Sequence, residues 1–210
     1  MKYIYNFKTF ENKEINKEPE GINEEAFGRI RKAIILIINN YGFFSDLLFK
    51  LKIKEDVSIP TMATDGVSIL YNPDFTNKLS MKEIVFVLCH EVMHCALFHF
   101  QRKGQRDHEV YNMAGDYAIN ILLIPLNGDG IGKLPSDVLY DKKYEGWSTE
   151  DIYDDLMKKP ENQLRKLLND FKKGIGNDVK DPGSLKGGKT VFGGEGKQEG
   201  QGEGQGEGQG

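Results

Sequence analysis

The pentapeptide His90-Glu91-Val92-Met93-His94 sets two imidazoles four residues apart, with a carboxylate directly after the first. On an α-helix, residues i and i+4 are offset by about 40° around the axis and by one turn along it, so both rings leave the same face. Such a pair can bind one Zn²⁺, and Glu91, leaning beside the metal, can take a proton from its water. The surrounding positions are apolar almost all round: Ile84, Val85, Phe86, Val87, Leu88, Val92, Met93, Ala96, Leu97 and Phe98. That pattern predicts a central buried helix. Inside it, two histidines and a glutamate need partners or a bound ion.

A catalytic zinc needs a third protein ligand and an open position. On an uninterrupted helix His99 lies about 140° from His94 and about 180° from His90, on the far side of the rod. It therefore reads as a core or second-site histidine. His108, at the start of the next predicted helix, would need an unusual turn to reach back. Asp116 is the better candidate, in Tyr111-Asn112-Met113-Ala114-Gly115-Asp116-Tyr117-Ala118-Ile119-Asn120. Its helix joins the first through a short loop, Gly115 permits close approach, and Asn112 and Asn120 share its face, where they could orient the carboxylate. The alternative is a buried aspartate held by a hydrogen-bond network. Tyr117, Tyr71 and Tyr111 are candidate oxyanion donors, although an aromatic on a helix is more often core. Cys89 and Cys95 bracket the motif and read as small core residues.

The elements that must position these groups follow from local signals. Asn23 can cap a helix from Glu24 to about Asn40. A second helix is predicted over Phe43–Leu51, with Phe43, Leu47, Leu48 and Leu51 inward. Thr61–Gly66 is turn-rich, and Val67–Tyr71 reads as a strand stopped by Asn72-Pro73-Asp74, with an edge that could hold an extended peptide. Ser80-x-x-Glu83 is a capping box opening the histidine helix, which nothing breaks before Gly104. Asp107 can cap a helix from about His108 to Leu123, stopped by Pro125 and Asn127-Gly128. Residues 128–147 read as a long loop. Ser148–Asp151 offers a second capping box for a helix through Met157, and Glu161–Lys173 is a last amphipathic stretch.

The chain has 210 residues, enough for one domain with a core. Its net charge of −4, with both signs interspersed, argues against a nucleic-acid partner. The N-terminus lacks the apolar run of a signal peptide, and no segment is long enough to span a membrane. With two cysteines and no disulfide framework, the reading is a soluble, cytoplasmic protein. Over half of the 24 glycines fall between Gly174 and Gly210, ending in three copies of Glu-Gly-Gln-Gly. The expected division is a domain over 1–173 and a flexible, disordered tail over 174–210, beyond which a further domain is expected in the natural protein.

With these residues placed, the chain resembles the N-terminal metallopeptidase domain of bacterial proteins that carry a von Willebrand factor A-like domain at their C-terminus. The matching string runs from about Ile59 to Leu156. It includes Thr64-Asp65-Gly66, Tyr71-Asn72-Pro73, Phe86–Leu97 and Arg102 through Arg106-Asp107. It continues through Asn112-x-Ala114-x-Asp116-Tyr117-x-Ile119-Asn120, Leu134-Pro135, Leu139-Tyr140-Asp141 and Glu150–Leu156. The resemblance implies an α+β, mainly helical, zincin-like fold with a small sheet whose edge strand lies over the metal helix. It also implies His90 and His94 as ligands, Glu91 as the catalytic carboxylate and Asp116 as third ligand, with an AAA-type ATPase as an associated partner. The expected activity is zinc-dependent endopeptidase cleavage of a peptide or protein substrate. The alternative is a metal-binding, non-catalytic adaptor working with the ATPase or the von Willebrand factor A-like domain.

Overall fold

The computed structural model describes residues 21–124, 132, 133, 135 and 138–173. The expectations for Pro125 and Asn127-Gly128, for Leu134 and for the tail over 174–210 lie outside the described residues. Asn23 opens α1 (Glu24–Asn40) by accepting a hydrogen bond from the Ala26 N–H, as its residue type predicts. After α2 (Gly42–Leu48) come three short strands, β1 (Lys52–Glu55), β2 (Met62–Thr64) and β3 (Ser68–Tyr71). They form one sheet of order β1-β3-β2, with β1 parallel and β2 antiparallel to β3. The rest is helical: α3 (Pro73–Lys78), α4 (Met81–Ala96), α5 (His99–Arg102), α6 (His108–Leu123), α7 (Thr149–Met157) and α8 (Glu161–Lys173), with a 3₁₀ turn at Lys142–Tyr144. The class is therefore α+β, mainly helical with a small sheet, as expected.

The predicted caps form. Ser80 and Glu83 make a reciprocal capping box on α4, Ser148 and Asp151 another on α7, and Asp107 accepts from the Val110 N–H at the start of α6. Each such cap contributes about 1 kcal/mol. Helix α4 is the axis of the molecule, and every residue from Ile84 to His94 is buried. It packs against α1, α2, α6 and β2. Two large hydrophobic clusters result, beside a small one of Ile59, Ala63 and Leu70. One joins α1, α2, the sheet and α4 to Ile119 and Leu123; the other joins Val110, Met113, Ala114, Tyr117 and Ala118 to α7, α8 and Tyr144. Helix α6 belongs to both, so its face toward α4 lies at their seam.

Several expectations are corrected. The histidine helix does not run to Gly104. It ends at Ala96, and Phe98 takes a left-handed conformation (φ 55°, ψ 37°) that turns the chain into α5. The second helix stops at Leu48, buries Phe44 and Leu48, and leaves Phe43 exposed. Thr61–Gly66 contains β2, while Asn72-Pro73 both ends β3 and opens α3, with Asn72 accepting from the Phe75 N–H. The Val67–Tyr71 strand lies between two neighbours and so has no open edge. Asp65-Gly66 lies in the turn between β2 and β3. Asp65 accepts from the N–H groups of Val67 and Ser68, and Gly66 has φ 83°.

Candidate metal centre

Three side chains meet between α4 and α6. The Nε2 atoms of His90 and His94 are 3.1 Å apart, and Asp116 Oδ1 stands 3.6 Å from the first and 3.3 Å from the second. His90, His94 and Asp116 are the group of possible ligands that the described residues bring together, all three buried. The one-face argument for i and i+4 accounts for the two histidines, and the antiparallel packing of α6 brings in Asp116.

The tautomer of His90 follows from its neighbours. Asn120 Nδ2 donates to the Leu139 carbonyl at 3.0 Å, which fixes that amide so that Oδ1 faces His90 Nδ1, also at 3.0 Å. An amide oxygen only accepts, so His90 carries its proton on Nδ1 and presents the Nε2 lone pair toward His94 and Asp116. His94 Nδ1 lies 3.0 Å from His99 Nδ1, and His99 Nε2 lies 3.0 Å from the Thr149 hydroxyl. Burial, reinforced by the neighbouring His94 and Arg102, holds the His99 pKa down at about 2, so the ring is neutral. Burial likewise lowers the His94 pKa. The site thus sets the Nε2 lone pair of His90 and the neutral ring of His94 beside the Asp116 carboxylate.

These residues fit a metal ion. Asp116 Oδ1 is buried and, among the described residues, has no hydrogen-bond partner. A buried acceptor without one costs about 1–3 kcal/mol, which a cation held by the three side chains would offset. Ligand atoms at the corners of a tetrahedron with bonds of about 2.0–2.2 Å stand about 3.3–3.6 Å apart. Two of the three edges agree in length as well, and the third, 3.1 Å, is about 0.2 Å shorter.

The profile of a protein family described as "Putative metallopeptidase domain" matches residues 26–210. The chain belongs to that family. A Thermotoga maritima relative, described as "Uncharacterized protein", is 31% identical over 117 residues, which are 52% of this chain and 29% of the relative. The chain thus spans less than a third of that relative's length. No solved structure matches the chain.

In this family member the remaining sequence candidates fall as follows. Glu91 follows His90 on α4 and is fully buried, outside the group of three. His108 is the first residue of α6 and takes no part in the group. Asn120 serves His90 rather than Asp116, and Asn112 is buried on the same helix. Tyr111 donates to Glu150 Oε1 at 2.9 Å and Tyr71 points to Glu55 Oε2 at 3.4 Å, so both hydroxyls face carboxylates away from the triad. Tyr117 packs on the Tyr144 ring. Cys89 and Cys95 are free thiols, the first buried, and burial pushes the Cys89 pKa up to about 12.

The position of His99 overturns the helical-wheel expectation. The left-handed residue at Phe98 ends α4, so His99 folds back against His94 instead of continuing around the rod. Gly115 makes the room: a Cβ there would lie 2.9 Å from His99 Nδ1 and 3.0 Å from His99 Cε1. Arg102 and Glu150, present in the matching string without a role, are given one by the fold. Arg102 pairs through its guanidinium with Glu150 on α7 and donates to the Leu97 carbonyl at 3.0 Å, tying the end of α4 to the helix that carries Thr149. An arginine shortly after the motif and a glutamate beside a capping serine are the signals. Their pairing needs the fold.

No helix among the described residues is long and apolar enough to cross a membrane.

Proposed function

We propose that this chain is a zinc-dependent endopeptidase domain with a zincin-like arrangement. The observation that carries this is the triangle of two Nε2 atoms and one carboxylate oxygen, with edges of 3.1, 3.3 and 3.6 Å, built on an H-E-x-x-H helix. His90, His94 and Asp116 would hold the ion, leaving the fourth position for water or substrate. When bound, zinc supplies a Lewis acid that polarises the scissile carbonyl and lowers the pKa of water. The chain's own residues do the rest. Asn120 holds His90 in its ligating tautomer, and Asp116 contributes the negative charge. Glu91, one residue from the first ligand, accepts the proton from the attacking water and passes it to the leaving amine. Membership of the metallopeptidase family and the small sheet beside α4 support the same reading. So does the resemblance to domains that work with a von Willebrand factor A-like domain and an AAA-type ATPase. Free Cys89 and Cys95 suit a reducing, cytoplasmic setting.

One observation favours the adaptor alternative: His90, His94, Glu91 and Asp116 are each no more than 5% exposed, as in a closed structural site. Glu91→Gln separates the two. The peptidase reading predicts zinc retained at wild-type stoichiometry with peptide-bond hydrolysis reduced at least a hundredfold in a proteome-derived peptide-library assay. A zinc-loaded wild type that cleaves nothing in that assay, alone or with a partner ATPase, would leave the adaptor reading.

A further inference from the structure

A metal-ligating histidine is set by what its second nitrogen touches, and here that group is another histidine. His94 Nδ1, His99 and the Thr149 hydroxyl form a buried line with both contacts at 3.0 Å. His94, His99 and Thr149 are all 4% exposed or less, so water does not substitute along the line. Run from His94 outward, the hydrogen bonds close without conflict: Nδ1–H of His94 donates to His99 Nδ1, and Nε2–H of His99 donates to the Thr149 oxygen. Run the other way, the hydroxyl donates inward and His94 ends with a hydrogen on Nε2, where the metal must bind. A hydroxyl serves either direction, so what occupies the centre and which way the line points are coupled.

Three features not needed for packing alone converge on this line. A phenylalanine adopts the left-handed conformation that returns His99 to the site, and Gly115 lacks the side chain that would displace the ring. The Ser148 capping box fixes Thr149 as the first residue of α7.

We propose that His99, backed by Thr149, is a positioning residue of the metal centre: its Nδ1 accepts the hydrogen bond from His94 Nδ1–H, keeps that proton on Nδ1 and so leaves the His94 Nε2 lone pair for the ion. The inference rests on His90, His94 and Asp116 holding a metal. It adds that α7 is part of the centre's support although it supplies no ligand.

The test compares His99→Leu with His99→Asn, similar in shape but differing in whether an acceptor remains near Nδ1. Zinc affinity is measured by chelator competition, and the d–d spectrum of the cobalt-substituted protein reports ligand geometry independently of activity. The expected result is a 10–100-fold weaker zinc affinity and an altered cobalt spectrum in His99→Leu, with His99→Asn within about threefold of wild type. Nitrogen-15 ring shifts of zinc-loaded wild type should show His94 protonated on Nδ1. Equal affinity in folded His99→Leu and wild type overturns the proposal, as does an Asn variant as weak as the Leu variant. If His99→Leu does not fold, Thr149→Val carries the test: several-fold weakening supports the line and an unchanged affinity and spectrum overturn it. Wild type that binds neither zinc nor cobalt overturns the metal reading itself, a result distinguishable from metal bound without dependence on His99.

Discussion

Two helical glycines should respond in opposite directions to the same substitution. Gly28 sits inside α1 and a Cβ added there would meet nothing within 4 Å, whereas the equivalent atom on Gly115 would lie 2.9 and 3.0 Å from the His99 ring and 3.6 Å from His94 Cε1. Alanine is favoured over glycine in a helix interior by about 1 kcal/mol, so Gly28→Ala should stabilise by about that amount. Gly115→Ala has the same propensity gain but must move the His99 ring by about 0.5 Å to reach ordinary contact, a change of the kind that costs about 1–3 kcal/mol in a packed interior. The ring is held on both sides by 3.0 Å hydrogen bonds, and misaligning them adds about 1 kcal/mol each. The balance is a net destabilisation of about 2–4 kcal/mol, against a gain of about 1 kcal/mol for Gly28→Ala. Urea unfolding of both variants and wild type, with and without zinc, reads the difference directly. A Gly115→Ala protein as stable as Gly28→Ala, with unchanged zinc affinity, would refute the close approach of His99 to α6.

Three further outcomes follow from the same physical features. Phe98 is 60% exposed and left-handed, so Phe98→Gly gives up little burial while relieving about 1 kcal/mol of backbone strain; the melting temperature should rise by about 2–4 °C, and a fall would contradict the conformation. Metal-free protein should lose stability as pH drops below about 6.5. His99 stays neutral when folded, its pKa held at about 2 by burial, while the unfolded chain protonates it near 6.5, so stability is complete above that pH and declines by about 1.4 kcal/mol per unit below it. His94, lowered by burial, acts in the same sense, and carboxylates titrate below this window; a flat profile between pH 7 and pH 5 in denaturant titrations would contradict the buried neutral rings. Zinc in excess by about a thousandfold over its dissociation constant should stabilise by about 4 kcal/mol, or about 8–16 °C, reversed by a chelator; no shift would contradict a site confined to the folded state.

The framework of the site is legible where one side chain carries the signal. Ser80, Asp107 and Ser148 mark helix starts through their own hydrogen bonds, and the spacing of His90 and His94 gives a shared face without any tertiary information. Asp116 can be chosen because a short connection forces its helix to run back along α4. What escapes is set by packing. The end of α4 has no glycine or proline to announce it; Phe98 takes a conformation usually left to glycine, and the helical wheel therefore sends His99 to the wrong side. Strands β1 and β2 are too short to show a period of their own, and β2 is buried throughout, so alternation has nothing to report. Asn72-Pro73 reads as a stop because the same residues that end a strand also cap a helix and fill its first position. Phe43 and Phe44 are adjacent, and only the docking of α2 decides which faces the core.

Zinc per chain, measured by inductively coupled plasma mass spectrometry on wild type, His94→Ala, Asp116→Ala and Glu91→Gln, tests the centre most directly. The arrangement predicts about one zinc per chain in wild type and Glu91→Gln, with sharp loss in the other two. Metal-free wild type after preparation in zinc-supplemented medium, or full retention in Asp116→Ala, would contradict a centre built from His90, His94 and Asp116.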